Sequence, residues 1–184
     1  MKLRLLILFS SFCVLSVATV LLVGIGNPPV DRYRAIDGDT LERLSARCAL
    51  ADLGLRCLPK RFQLDGIEAL ELGQTCWDAA GKPWACGDAA HKRLSEIAAS
   101  PDFKCLLDDD AIDRRQRSFG DCILGGRDVA ETLIREGFAF ALGRRSRYSL
   151  LEVEAKQAGA GAWAGRFVRP QYYRFTGESG NLAD

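Results

Sequence analysis

Two strand-like runs of this chain end in acidic, glycine-bearing turns: Ala35-Ile36-Asp37-Gly38-Asp39-Thr40-Leu41 and Phe62-Gln63-Leu64-Asp65-Gly66-Ile67-Glu68-Ala69-Leu70-Glu71. They imply short strands meeting at tight corners, because Asp and Gly are the residues that turns favour. A third strand-like run, Asp113-Arg114-Arg115-Gln116-Arg117-Ser118-Phe119-Gly120, carries an arginine, Arg117, into the same kind of setting. Taken singly, either acidic turn reads as structural. Taken together, carboxylates at neighbouring strand ends are the hard oxygen ligands that calcium or magnesium requires, and a guanidinium beside them suits a phosphate.

The rest of the chain gives a coarse order of elements. Arg32 to Ile36 and Thr40 to Leu44 read as a hairpin about Asp37-Gly38-Asp39, with Gly38 in the positive-φ conformation of a tight turn. Residues 48 to 59 read as a loop, and Lys60 to Ile67 as the next strand. Cys86 to Ala99 reads as a helix, followed by strands over Phe103 to Leu107 and Phe119 to Leu124. Asp128 to Phe138 and Ser149 to Ala158 have helical periodicity, with Gly137 and Gly159 placed as stops. This is an α+β pattern: a small five-stranded Greek-key barrel of the oligonucleotide/oligosaccharide-binding (OB) type with about three helices. Asp108-Asp109-Asp110 reads as a solvated loop rather than a metal cluster.

In this order the motifs resemble the staphylococcal nuclease (thermonuclease-like) family, whose pattern runs Asp-Gly-Asp-Thr, then Arg-Leu-x-Gly-Ile-Asp-Ala-Pro-Glu, then Asp-x-Tyr-Gly-Arg. The resemblance extends from Tyr33 to about Tyr173, and includes Leu124-Gly125-Gly126-Arg127-Asp128-Val129 and the helix that leads to Trp163. It implies the OB fold and calcium-dependent hydrolysis of DNA or RNA with little sequence preference. By motif position, Asp39 and Glu68 become calcium ligands together with the Ala69 carbonyl, and Thr40 acts indirectly. Glu71 takes the place of the general base and Arg117 that of an arginine stabilising charge on the phosphorus. Arg115 and Arg145 are weaker candidates for holding the substrate backbone. The chain departs from the pattern at Gln63, where the family has an arginine, at Glu68 for aspartate and at Leu70 for proline. Arg61, two residues before Gln63 and on the same strand face, is the candidate to supply the missing guanidinium. The alternative is a catalytically degenerate OB-fold kept as a binding or interaction module in the cell envelope.

Around this domain, residues 33–175, the sequence places an N-terminal segment, 1–25, a linker, 26–32, and a tail, 176–184. Leu5 to Ile25 is free of charge and follows Lys2 and Arg4. It is long enough to span a bilayer from the cytoplasmic side, while Ser16-Val17-Ala18 also suits signal-peptide cleavage. Either reading exports the domain, anchored in the inner membrane or released beyond it. Of the seven cysteines, Cys13 lies in that segment. The other six are even in number, as in an oxidising compartment. They allow fifteen pairings, among which proximity favours Cys48–Cys57 and Cys76–Cys86, leaving Cys105–Cys122. Without Lys2 and Arg4 the chain has 23 basic and 24 acidic residues, so it lacks the global positive field of a tight, sequence-specific DNA binder.

Overall fold

The computed structural model describes residues 31–45, 59–112, 117–143, 146–177 and 182–183. In chain order the elements are β1 (Arg32–Ala35), β2 (Thr40–Leu44), β3 (Lys60–Leu64), β4 (Ile67–Ala69), β5 (Cys76–Trp77), β6 (Pro83–Trp84), α1 (Cys86–Ala98), β7 (Phe103–Ile112), β8 (Ser118–Leu124), β9 (Arg127–Asp128), α2 (Val129–Arg135), β10 (Ala139–Ala141), α3 (Ser149–Ala158), β11 (Phe167–Val168), α4 (Pro170–Thr176) and β12 (Leu182–Ala183).

The main sheet follows the order β1-β2-β3-β8-β7, with β9 added beside β8. Its neighbours are antiparallel except β3 and β8, which run parallel with Gln63 beside Phe119. Tyr33 of β1 packs edge-on against Phe103 of β7, with ring centroids 4.9 Å apart, so the two ends of the strand path approach each other through side chains. The sheet therefore curls into a half-barrel. Its concave face holds Leu41, Phe62 and Leu64, which share one core with Ile67 of β4, Leu94 and Ile97 of α1 and Leu133 and Ile134 of α2. Burying each such side chain contributes about 1.5–3 kcal/mol.

The helices have local causes. In α1 the buried residues Cys86, Ala90, Leu94 and Ile97 recur every three or four positions, and Pro101 stands just beyond its end. Asp128 caps α2 by accepting from the Ala130 and Glu131 amides at 2.8 and 3.2 Å. Gly137 and Gly159, with φ of 72° and 62°, end α2 and α3 in the left-handed conformation that glycine takes without a Cβ penalty. A second core joins Leu70, Phe140, Phe167 and Ala162 around the Cys76–Cys86 disulfide, under the loop that carries Glu71. Cys105 and Cys122 face each other across β7 and β8 and form the other disulfide among the described residues. Both belong to an oxidising, extracytoplasmic environment. Cys48–Cys57 lies outside the described residues, as do the N-terminal segment and most of the linker.

Several expectations need correction. The main sheet has six strands rather than five, because β9 pairs briefly with β8. The run from Lys60 to Ile67 is two strands, since Gly66 at φ 73° turns the chain into β4, which pairs with β10 instead of the main sheet. β7 continues to Ile112, so Asp108 to Asp110 sit on a strand. There the Asp108 carboxylate accepts from the Asp110 and Ala111 amides, at a shift in register. The described residues hold four helices, not three. The additional one, α4, starts at a buried Pro170, whose fixed φ and missing amide suit a first helical position. None of the helices among the described residues is long and apolar enough to cross a membrane.

Candidate active site

The connection Ile36–Asp39 is shaped by its own side chains. Asp37 Oδ1 accepts from the amides of Asp39 and Thr40 at 3.0 and 2.7 Å, and the Ile36 amide donates to the Thr40 carbonyl at 2.8 Å. Gly38 is not in the positive-φ region expected of it. Its requirement is space: a Cβ there would lie 2.7 Å from the Ala69 Cβ and 3.1 Å from the Leu70 carbonyl oxygen. The absence of a side chain at 38 is what allows the first acidic turn to lie against the second.

Asp39, thereby turned inward, is buried and joins the two turns directly. Its Oδ2 accepts from the Ala69 amide at 2.9 Å and from Gln63 Nε2 at 3.1 Å, while Oδ1 accepts from the Thr40 hydroxyl at 3.1 Å. Burial, reinforced by the Asp37 carboxylate, pushes the Asp39 carboxyl up to about 7. Gln63 then passes the contact onward. Its Oε1 accepts from Arg117 Nη2 at 2.9 Å, and Arg117 Nη1 donates to the Thr40 hydroxyl at 3.0 Å. The neutral amide at 63 thus bridges a carboxylate and a guanidinium.

Glu68 and Glu71 stand on the other side. Glu68 lies on β4, opposite Phe140 of β10, and is buried enough that desolvation raises its carboxyl above the usual range despite a guanidinium beside it. That guanidinium is Arg174 of α4, which donates through Nη2 to Glu68 and through Nε to Glu71. The Glu71 turn is held by Gln74, a fully buried side chain. Gln74 Oε1 accepts from the Glu71 amide at 3.0 Å, and Nε2 donates to the Val168 carbonyl at 2.6 Å. A small cleft of about 20 Å³, lined by Asp37, Asp39, Gln63, Glu71, Arg117 and Arg174, lies between the two sides. That volume admits one water-sized body. Among the described residues no three carboxylate, thiolate or imidazole groups converge closely enough to hold a metal ion.

The structure thus brings Asp39, Ala69, Glu71 and Arg117 around one cleft, with Thr40 joined to it through Asp39 and Arg117 and Glu68 adjoining it through Arg174. It does not bring Arg61. That side chain is 61% exposed and donates through Nε to Glu42 at 2.7 Å. The cause is register: Arg61 is opposite Glu42 in β2, while Gln63 is opposite Thr40. Arg115 and Arg145 lie outside the described residues. Arg174 is not among the residues the sequence marks, and Gln74 is marked only as part of the Leu72-Gly73-Gln74-Thr75-Cys76 run after the second acidic turn. The available signal was the Pro170-Gln171-Tyr172-Tyr173-Arg174 run, which marks a helix start but not its distant partners.

Gly87, at the start of α1, backs the Glu71 turn so closely that an added Cβ would lie 1.7 Å from the Glu71 carbonyl oxygen. Gly87→Ala is therefore expected to displace that turn and cost about 1–3 kcal/mol. The melting temperature should fall, and an unchanged melting temperature would contradict the packing described.

A curled sheet whose acidic turns and arginines meet at one cleft defines a nuclease-like α+β domain. The chain belongs to the family described as staphylococcal nuclease homologue, whose family model matches residues 61–165. Membership implies the OB fold. The chain is also similar to the succinoglycan biosynthesis protein ExoI of Rhizobium meliloti (strain 1021), at 29% identity over 144 residues, covering 76% of this chain and 67% of that protein. The matched family span begins after Asp39 and ends before Arg174.

Proposed function

We propose that the protein is an exported, calcium-dependent nuclease that hydrolyses phosphodiester bonds of DNA or RNA with little sequence preference. The observation that carries this reading is the hydrogen bond from the Ala69 amide to Asp39, which draws both acidic turns, Glu71 and Arg117 toward one cleft. Export is supported by the two disulfides and by the Leu5–Ile25 run, read as an inner-membrane anchor or a cleaved signal.

The donors fit calcium in kind. Asp39, Glu68 and the Ala69 carbonyl are hard oxygens, with Thr40 acting indirectly, and calcium tolerates the longer Glu68 because its coordination is flexible. A buried Asp39 carboxyl raised to about 7 is also a charge that a neighbouring cation would stabilise. With Glu68 and Glu71 both paired to Arg174, these oxygens do not yet converge. Calcium, when bound, supplies polarisation of a phosphoryl oxygen. Glu71 accepts the proton of the attacking water, and Arg117, steadied by Gln63 and Thr40, stabilises charge gathering on the phosphate oxygens.

The surface limits the substrate's approach. Asp65, Asp108, Asp109, Asp110 and Asp121 line a groove of about 570 Å³ against β7 and β8. This groove repels a polyanion, so a nucleic acid strand must reach the cleft from elsewhere.

The pairing of Glu71 with Arg174 also supports a second reading, a lapsed site on a binding module of the cell envelope. A relative named for succinoglycan biosynthesis is compatible with it. One assay separates the two. Under the nuclease reading, purified oxidised protein cleaves end-labelled single-stranded DNA or RNA in calcium and stops in chelator. A folded sample without cleavage would leave the binding module.

A further inference from the structure

The cleft has two guanidinium groups, and the one from outside the matched family span has no assigned task. We infer that Arg174 is a substrate-binding residue of this site, delivered by α4 to hold the phosphate, and that it provides the cationic contact that the neutral Gln63 cannot. The inference rests on the nuclease reading above.

Three observations carry it. Position 63 has no charge to offer, and both ends of its amide are already engaged, by Asp39 and by Arg117. Arg174 and Arg117 line the same cleft, and Arg174 donates to Glu68 and Glu71 while Arg117 donates to Gln63 and Thr40. A phosphate oxygen entering there would meet both guanidinium groups, whose charge-assisted hydrogen bonds suit it.

The third observation is how firmly α4 is held. Gln74 ties the Glu71 amide to the Val168 carbonyl just ahead of α4. Arg169 pairs with Glu152 and lies over the rings of Phe140 and Trp163 at 5.2 and 5.5 Å. Pro170 is buried, and the Tyr173 hydroxyl donates to the Gly73 carbonyl at 3.3 Å. The helix is therefore built onto the turn that carries Glu71. Its arginine side chain still keeps 32% of its surface exposed, so it is accessible to an incoming phosphate.

Asp37, Asp39 and Glu71 line the cleft beside Arg117 and Arg174, so carboxylates offset the positive charge of the arginines. If calcium were held by Asp39, Glu68 and the Ala69 carbonyl, Arg174 would be available to the phosphate and Glu71 to accept a proton. In the resting arrangement the same guanidinium keeps the two glutamates from repelling each other.

The test uses the full chain and three variants: Arg174→Ala, Arg174→Lys, and Arg174→Ala combined with Gln63→Arg. Two quantities are read, single-turnover cleavage of single-stranded DNA in calcium and anisotropy of a short phosphorothioate strand that resists cleavage. Thermal unfolding checks that each variant is folded. Arg174→Ala is expected to cleave about 10²–10³-fold more slowly and to bind the strand more weakly. Arg174→Lys recovers only part of this, because an ammonium lacks the planar fork. Returning a guanidinium at position 63 recovers most of it. Cleavage by Arg174→Ala as fast as the parent, or faster, would overturn the inference while leaving the nuclease reading intact, and would make Arg174 a bystander or a plug. If the parent itself fails to cleave, the nuclease reading falls and strand binding decides. Weaker binding by Arg174→Ala and Arg174→Lys upholds the phosphate contact, and unchanged binding overturns it.

Discussion

Glu71→Gln is expected to lower turnover on single-stranded DNA by about 10²–10⁴-fold, the range associated with a positioned general base. The substitution isolates chemistry from structure. Glutamine keeps an oxygen able to accept from Arg174 Nε, and the backbone amide of residue 71 still has Gln74 as its partner. Residue 71 is partly exposed, so losing the charge leaves no buried, unsatisfied group. Asp39 and Glu68 are untouched, and calcium binding followed by calorimetry should change far less than turnover. Activity within tenfold of the parent, in a variant that still binds calcium, would remove Glu71 from the role of base and transfer the search to Asp37, which lines the cleft with Asp39.

What sequence reveals and conceals here follows from the range of the interactions. β2 and α3 have the boundaries expected, because a turn at one end and a glycine stop at the other are local signals. Cys76–Cys86 was legible by proximity, and Cys105–Cys122 only as the pair left over, joined across neighbouring strands. Gly38 was placed correctly and explained wrongly: its need is room against Ala69 and Leu70, a contact made across thirty residues of sequence. Arg61 failed as a stand-in for the same kind of reason. Strand alternation puts it on the face of Gln63, but cross-strand register gives it Glu42, an ion pair that no pattern along one strand contains.

Arg174 was the least legible residue. It lies in a short helix beyond the recognisable motifs, about a hundred positions from both glutamates, and nothing in its local sequence announces them. Its arrival depends on Gln74 and Arg169, which hold β11 and the start of α4, and on the second core beneath them. The motifs marked where the acidic turns lie; packing of the remaining chain decided which cations reach them.

Gln74→Leu should therefore reduce stability and activity together without touching the substrate. Leucine is of similar bulk and suits the buried surroundings, so the loss comes from the polar partners left behind. The Glu71 amide and the Val168 carbonyl would both be without the side chain that now joins them. Each buried, unsatisfied group costs about 1–3 kcal/mol, so the total is about 2–6 kcal/mol. For a domain of this size that lowers the melting temperature by about 5–20 °C. Turnover measured well below the new melting temperature should fall as well, because the turn carrying Glu71 and the segment leading to Arg174 lose their common support. A variant that is less stable but fully active when folded would mean that the two sides of the cleft are positioned independently. The coupling through Gln74 would then be a matter of stability alone.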